Sequence, residues 1–239
     1  AGLFVSACAI ADGRIEPLTG RVVASADSAL LAGIDWKETK TRLGVSETIK
    51  LRYFIRGERG DEDQLMHDLR RGRAQIGVIS LLGLADAAPE LEMLMLPSLF
   101  GSQAEAEFVY DNYLFELSRE LLARKGLRLM QRLAMSSNMM KGGCFSSYAV
   151  VANRDWFTEA ADAQQTVLGN AWVRKRLANT RVSSPEDAVE RPTKLSDFPG
   201  TDLAPCADLA IGEAVTRIGG RSAEFYAAIM RGKLAFSAR

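Results

Sequence analysis

Apolar and polar positions alternate along Ile49-Lys50-Leu51-Arg52-Tyr53-Phe54-Ile55 before the run turns wholly apolar, as in a strand with one partly covered face. Gly57 and Gly60 end it. Asp61 or Asp63 then offers a helix cap, Leu65, Met66 and Leu69 recur at helical spacing, and Gly72 stops the helix after the basic pair Arg70 and Arg71. Cations suit that end of the helix dipole. Ile76-Gly77-Val78-Ile79 is a short apolar run leading into Ser80. Strand, helix and strand within about 30 residues is the proportion of a right-handed parallel crossover, which predicts a parallel sheet.

On either side the pattern is looser. Residues 21–25 read as a strand, and Asp27 or Ser28 as the cap of a helix entering ALLAGIDWKETKTRL, with Leu31, Ile34, Thr41 and Leu43 as its stripe. Residues 91–100 are strongly apolar, and Pro97 confines their end to an edge or a turn. From Ser102 onward Phe108, Val109, Tyr110, Leu114, Phe115, Leu121 and Leu122 predict a helix that Lys125-Gly126 ends, followed by a strand over 127–133. SSNMMKGGCFSS, residues 136–147, is a small-residue break. It divides the chain into a first lobe, 1–135, and a second, 136–239, with room for chain crossings between them. Beyond it the pattern predicts a strand over 148–152, a helix over 158–177 anchored by residues that include Trp172, and final helices over 209–218 and 222–230.

A chain of 239 residues can bury a sizeable core as one large domain or two lobes. Lys plus Arg and Asp plus Glu stand at 30 each, so no general positive field is present to recruit nucleic acid. Cys8, Cys144 and Cys206 are odd in number and far apart, which excludes a closed disulfide framework using all of them. With His67 the one histidine and no CxxC pair, no zinc pattern is present, and no cofactor is predicted. Val5-Ser6-Ala7-Cys8 resembles a lipoprotein cleavage box, which would permit a lipid anchor at Cys8, but its seven preceding residues are too few for a leader and a buried first strand is the alternative.

Catalytic patterns are weak. Cys144 in GGCFSS lacks the GxSxG turn, and His67, one helical turn from Arg71, reads as a surface residue. Asp61, Asp63 and Asp68 lack the glycine and terminal glutamate of a calcium loop. Ser80 is different, because it ends a strand at the carboxyl edge where open parallel sheets bind ligands. Its hydroxyl with the amides of Leu81 and Leu82 can hold a polar ligand group; a helix cap is the alternative.

GDEDQLMHDLRRGRAQIGVIS, then APELEMLMLPSLF, then a helix closing on KGLRLMQ, together resemble the DctP-like extracytoplasmic solute-binding proteins of tripartite ATP-independent periplasmic (TRAP) transporters. Gly60, Asp61, Arg71, Gly72, Gln75, Ile76, Gly77, Leu96, Pro97, Leu99 and Phe100 carry the match, and Asp197, Phe198, Gly200, Leu203, Glu224, Tyr226, Ala228 and Gly232 a weaker one. The resemblance implies a two-lobed α/β periplasmic-binding-protein fold with mainly parallel sheets and a hinge. It implies a non-enzyme in the periplasm, monomeric or dimeric, without a cofactor, that captures a small organic acid or related polar solute for membrane permease subunits. Implied ligand-facing groups are Asn138 and Lys141 in the crossing segment and Glu224 and Tyr226 on a late helix, beside Ser80 and Leu81. After Leu203, where the family carries an arginine that grips a carboxylate through two parallel hydrogen bonds, this chain has Ala204, which supplies neither. The segment YAVVANRDWFTEAADAQQTVL also precedes LSDFPG, in the reverse of the family's order. A degenerate relative acting as a periplasmic interaction or sensing module is the rival reading.

Overall fold

The computed structural model describes residues 15–25, 32, 34–96, 99–131, 134–135, 147–173 and 221–239. Six strands form one sheet: β1 (Leu18–Ala24), β2 (Ile49–Phe54), β3 (Ile76–Ser80), β4 (Leu127–Leu129), β5 (Ala134–Met135) and β6 (Ser147–Asn153). Their order is β2-β1-β3-β6-β4, with β5 also on β6. The predicted crossover is present: β1 pairs parallel with both β2 and β3. The sheet as a whole is mixed, which corrects the expectation of mainly parallel pairing. β6 lies antiparallel between β3 and β4 and antiparallel to β5. The strands before it all point to one edge, and β6 fills the gap between β3 and β4 by running the other way.

Alternation on the strands feeds two cores. Val23, Ile79, Leu127, Leu129, Ala149 and Val151 face the first, with α2 (Glu62–Arg70), α3 (Leu81–Ala87), a 3-10 turn over Pro89–Met95, α4 (Gln103–Val109), a π-helical turn over Tyr110–Leu114, α5 (Phe115–Ala123) and α8 (Ser222–Ser237). Val22, Ala24, Ile76, Val78, Val150 and Ala152 face the second, under α1 (Trp36–Gly44), α6 (Arg154–Glu159) and α7 (Asp162–Asn170). This is a helix, sheet, helix sandwich, as expected for strands buried on both faces.

Helix α2 follows the sequence closely. The Asp61 carboxylate accepts from the Gln64 amide at 3.0 Å, Leu65, Met66 and Leu69 are buried, and Gly72 leaves the helix at φ 69°. Gly77 in β3 is a close-approach glycine: a Cβ there would collide with the Leu69 side chain. Glycine at this point of the motif lets α2 lie tight on the sheet.

Other elements depart from the pattern. Helix α1 begins only at Trp36, capped by Asp35, whose carboxylate accepts from Glu38 at 3.0 Å; Asp27 and Ser28 lie outside the described residues. The apolar stretch after Ala88 is a 3-10 turn started by Pro89, with Leu91, Met93 and Leu94 buried. The helix predicted over 158–177 is two helices broken at Ala160 and Ala161, because the Gln164 side chain turns back to accept from the Ala161 amide at 3.0 Å. The last helix runs past Met230 to Ser237, and Gly232 lets it touch Val109.

Candidate functional site

The carboxyl edge of the sheet gathers the ends of β1 to β5 and the start of β6, with Tyr148 directly across from Ser80. Ser80 caps α3, its Oγ accepting from the Gly83 amide at 3.1 Å. It is also held by a neighbour absent from the sequence reading. Glu62, in the first turn of α2, accepts from the Ser80 amide through Oε1 at 3.0 Å and from the Ser80 hydroxyl through Oε2. Both Ser80 donors are thus engaged by one carboxylate. Gly83 makes room for it: a Cβ there would stand 2.9 Å from Glu62 Oε2.

The signal that identifies Glu62 lies in topology. In a strand, helix, strand unit the helix starts at the edge where the second strand ends. An acid in the first turn of α2 therefore meets the end of β3, although Glu62 and Ser80 are 18 residues apart.

The surroundings of this corner are acidic. Asp86 is held above the ordinary carboxylate range, first by desolvation and then by the nearby Asp63 carboxylate. Arg59, in the turn after β2, lies 3.8 Å from Asp68 and stacks over the Phe54 ring. Leu81 is buried and offers only backbone, whereas Leu82 is 49% exposed.

Glu224 and Tyr226 lie elsewhere. Ser80 starts α3, and Ala88 at its other end lines a cavity of about 390 Å³ with Pro89, Glu90, Leu121, Arg124, Lys125 and Arg221. Glu224 borders that region, gripping the Arg221 guanidinium with two hydrogen bonds of 2.6 Å. Arg221 also reaches Glu120 at 3.2 Å, and its amide donates to the buried Glu90 at 3.1 Å. Tyr226 is half-buried against the first core. The fold therefore brings Ser80 and Leu81 together but does not bring Glu224 to them. Asn138, Lys141, Cys8, Cys144 and Ala204 lie outside the described residues. His67 is exposed on α2.

Gln164 and Thr39 hold the second face, and Asn153, at the end of β6, joins α2 on the first face to α6 on the second. Asn153 donates to the Leu69 carbonyl at 2.8 Å and accepts from the Trp156 amide at 2.9 Å. Gln164 donates to the Glu16 and Thr48 carbonyls, each at 2.9 Å, and Thr39 Oγ1 accepts from the Val173 amide at 3.2 Å.

No protein-family model matches the chain, and no curated protein matches it by sequence. Solved structures do match. The sugar acid binding protein of Advenella mimigardefordensis in complex with galactonate aligns with TM-score 0.53 and 15% identity, over 66% of this chain and 77% of that one. A TRAP periplasmic solute-binding protein of Roseobacter denitrificans with bound β-D-glucuronate aligns with TM-score 0.51 and 11% identity, over 64% and 77%. The periplasmic ectoine-binding protein of the Halomonas elongata TRAP transporter gives 0.50 and 14%, over 64% and 75%. The chain has the α/β fold of these DctP-like TRAP solute-binding proteins.

Proposed function

We propose that this chain is a periplasmic solute-binding protein that captures a small organic acid or related polar solute and presents it to a TRAP-type permease. The observation that supports this most is the fold itself, a parallel crossover with a reversed strand between β3 and β4, which aligns with the galactonate, glucuronate and ectoine binders over about two thirds of this chain. The partition into lobes 1–135 and 136–239 belongs to the proposal, with β6 as a segment that crosses back. Closure of the lobes by a hinge motion would bury the solute, and no chemistry is performed on it.

The proposed cleft lies at the carboxyl edge, with the Ser80–Leu81 corner and Glu62 on one side, and Asn138 and Lys141 belong to the proposal as further solute-binding groups. Glu62, Asp63 and Asp86 make this corner a poor place for a bare carboxylate, so the solute presents hydroxyl or amino groups to it. Any carboxylate it carries would turn toward Lys141. Glu224 and Tyr226 enter the proposal as more distant members: weaker solute binding in Y226F would bring α8 into the cleft. A lipid anchor at Cys8 gains no support from the comparisons.

Native mass spectrometry of the purified protein before and after gentle denaturation tests the reading, together with calorimetric titration of galactonate, glucuronate and ectoine. A co-purified small molecule, or saturable binding of one probe, is the expected result. One observation favours the rival interaction module: the protein's own carboxylate already occupies both Ser80 donors. The absence of both a retained molecule and a response to any probe would decide for that rival.

A further inference from the structure

Helix α7 crosses the second face of the sheet from one edge to the other. At the amino edge Gln164 ties it to the carbonyls of Glu16 and Thr48. Past its other end the chain is fastened near the carboxyl edge: the Trp172 carbonyl accepts from Gln131 Nε2 at 3.4 Å, and the Val173 carbonyl accepts from the Asp35 amide at 2.8 Å. Gln131 follows Met130, whose amide bonds the Val150 carbonyl, and β5 beyond it pairs with Tyr148 opposite Ser80. Trp172 therefore stands at the same edge of the sheet as the proposed cleft, on the second face.

Trp172 is 6% exposed and packed in the second core, yet its Nε1–H has no hydrogen-bond partner among the described residues. The other buried polar side chains described on this face, Thr39 and Gln164, are both bonded. Trp156, at the amino edge, donates its indole N–H to the Thr19 carbonyl at 2.9 Å. A buried donor without an acceptor bears its full desolvation cost, and native proteins retain few of them. A phenylalanine would fill much of the same apolar space without that cost.

We infer that the Trp172 indole N–H is a solute-binding group, donating to a hydroxyl or carboxylate oxygen of the bound molecule. This rests on the solute-capture reading above. It assigns Trp172 a ligand role, where the helical pattern of the sequence makes it an apolar anchor only. An acidic corner at Glu62 and a lone donor at Trp172 fit a polyhydroxylated acid, whose hydroxyls meet the carboxylate and whose oxygens meet the indole.

The test compares the wild-type protein with W172F and with a variant carrying benzothienylalanine at position 172, which replaces the N–H by sulfur and keeps the ring shape. Each is titrated with galactonate, glucuronate and ectoine by calorimetry, and unliganded melting is followed in parallel. W156F serves as a control at the amino edge. The expected result is about tenfold weaker binding or more in both Trp172 variants. The benzothienyl variant should melt no lower than wild type without solute, because it removes an unsatisfied donor. W156F should lose stability with affinity unchanged. Equal affinity in the benzothienyl variant and the wild type overturns the assignment and leaves solute capture standing. Lower melting of that variant with unchanged affinity also overturns it, by revealing an internal acceptor. A wild type that retains no molecule and binds no probe overturns solute capture, and this assignment with it.

Discussion

The two faces of the sheet are sealed by different means. The first is covered by α2 to α5 and α8 and filled with long aliphatic and aromatic side chains, among them Tyr110, Phe225, Leu84 and Leu91. The second, under α1, α6 and α7, is smaller and is pinned by Thr39 and Gln164 to backbone groups remote in sequence. Apolar area stabilises without direction, so the first face depends on volume. Hydrogen bonds to particular carbonyls are directional, so the second depends on register.

That contrast breaks if a cavity costs no more in the first core than in the second. Leu84→Ala should lose about 3–5 kcal/mol of unfolding free energy, because Leu84 is fully buried among well-packed neighbours. Leu168→Ala should lose less, about 2–3 kcal/mol, since a thinner layer collapses more readily. Urea unfolding monitored by circular dichroism compares them, and a larger loss at Leu168 would reverse the picture.

Gln164→Ala sharpens the other half. It strands the Ala161 amide and the Glu16 and Thr48 carbonyls, for a loss of about 2–3 kcal/mol. Hydrogen exchange should then quicken around residue 48 and the start of α7 while α2 stays protected. Uniform quickening would mean that the two faces unfold as one.

Glu62→Gln concerns the edge where the faces meet. An amide keeps one acceptor toward Ser80 and loses the charge, so the expected loss is about 1 kcal/mol. Amide exchange at Ser80 should rise.

The smallest effect belongs to Glu224→Gln. The hydrogen bonds from Arg221 hold the Glu224 carboxyl below its usual range, with further help from the Arg221, Arg124 and Arg231 charges. A folded-state value below the unfolded one means that the pair stabilises above the unfolded value and is lost as pH falls through the folded one. Wild type and variant should therefore differ slightly at neutral pH and converge in acid, as pH falls from the ordinary glutamate value through the lowered folded one. Added salt should shrink even the neutral difference, since the pair is exposed.

Legibility in the sequence divides along the same line. Residues 49–80 could be read almost element by element, because each helix and strand there states its apolar face in local periodicity and its ends in Asp61, Gly72 and Ser80. The break at Ala160 and the late start of α1 were hidden, because Gln164 and Asp35 act through single side-chain bonds that leave no period. Ser80 was legible as an edge residue, and Glu62 was not. Its role needs the knowledge that α2 begins where β3 ends, which is a property of the fold and not of the local run. The reversed strand was legible as a strand but not in direction, since an apolar run such as Tyr148 to Ala152 reads the same either way.

That reversed strand also fixes an order of assembly. A chain that enters the periplasm amino end first delivers β1, β2 and β3 early and β4 later, yet the seat between β3 and β4 is filled only once residues 147–153 have followed. Until then both strands present unpaired edges, templates for pairing with other unfolded chains. Chaperone dependence during folding should therefore end abruptly once β6 is seated.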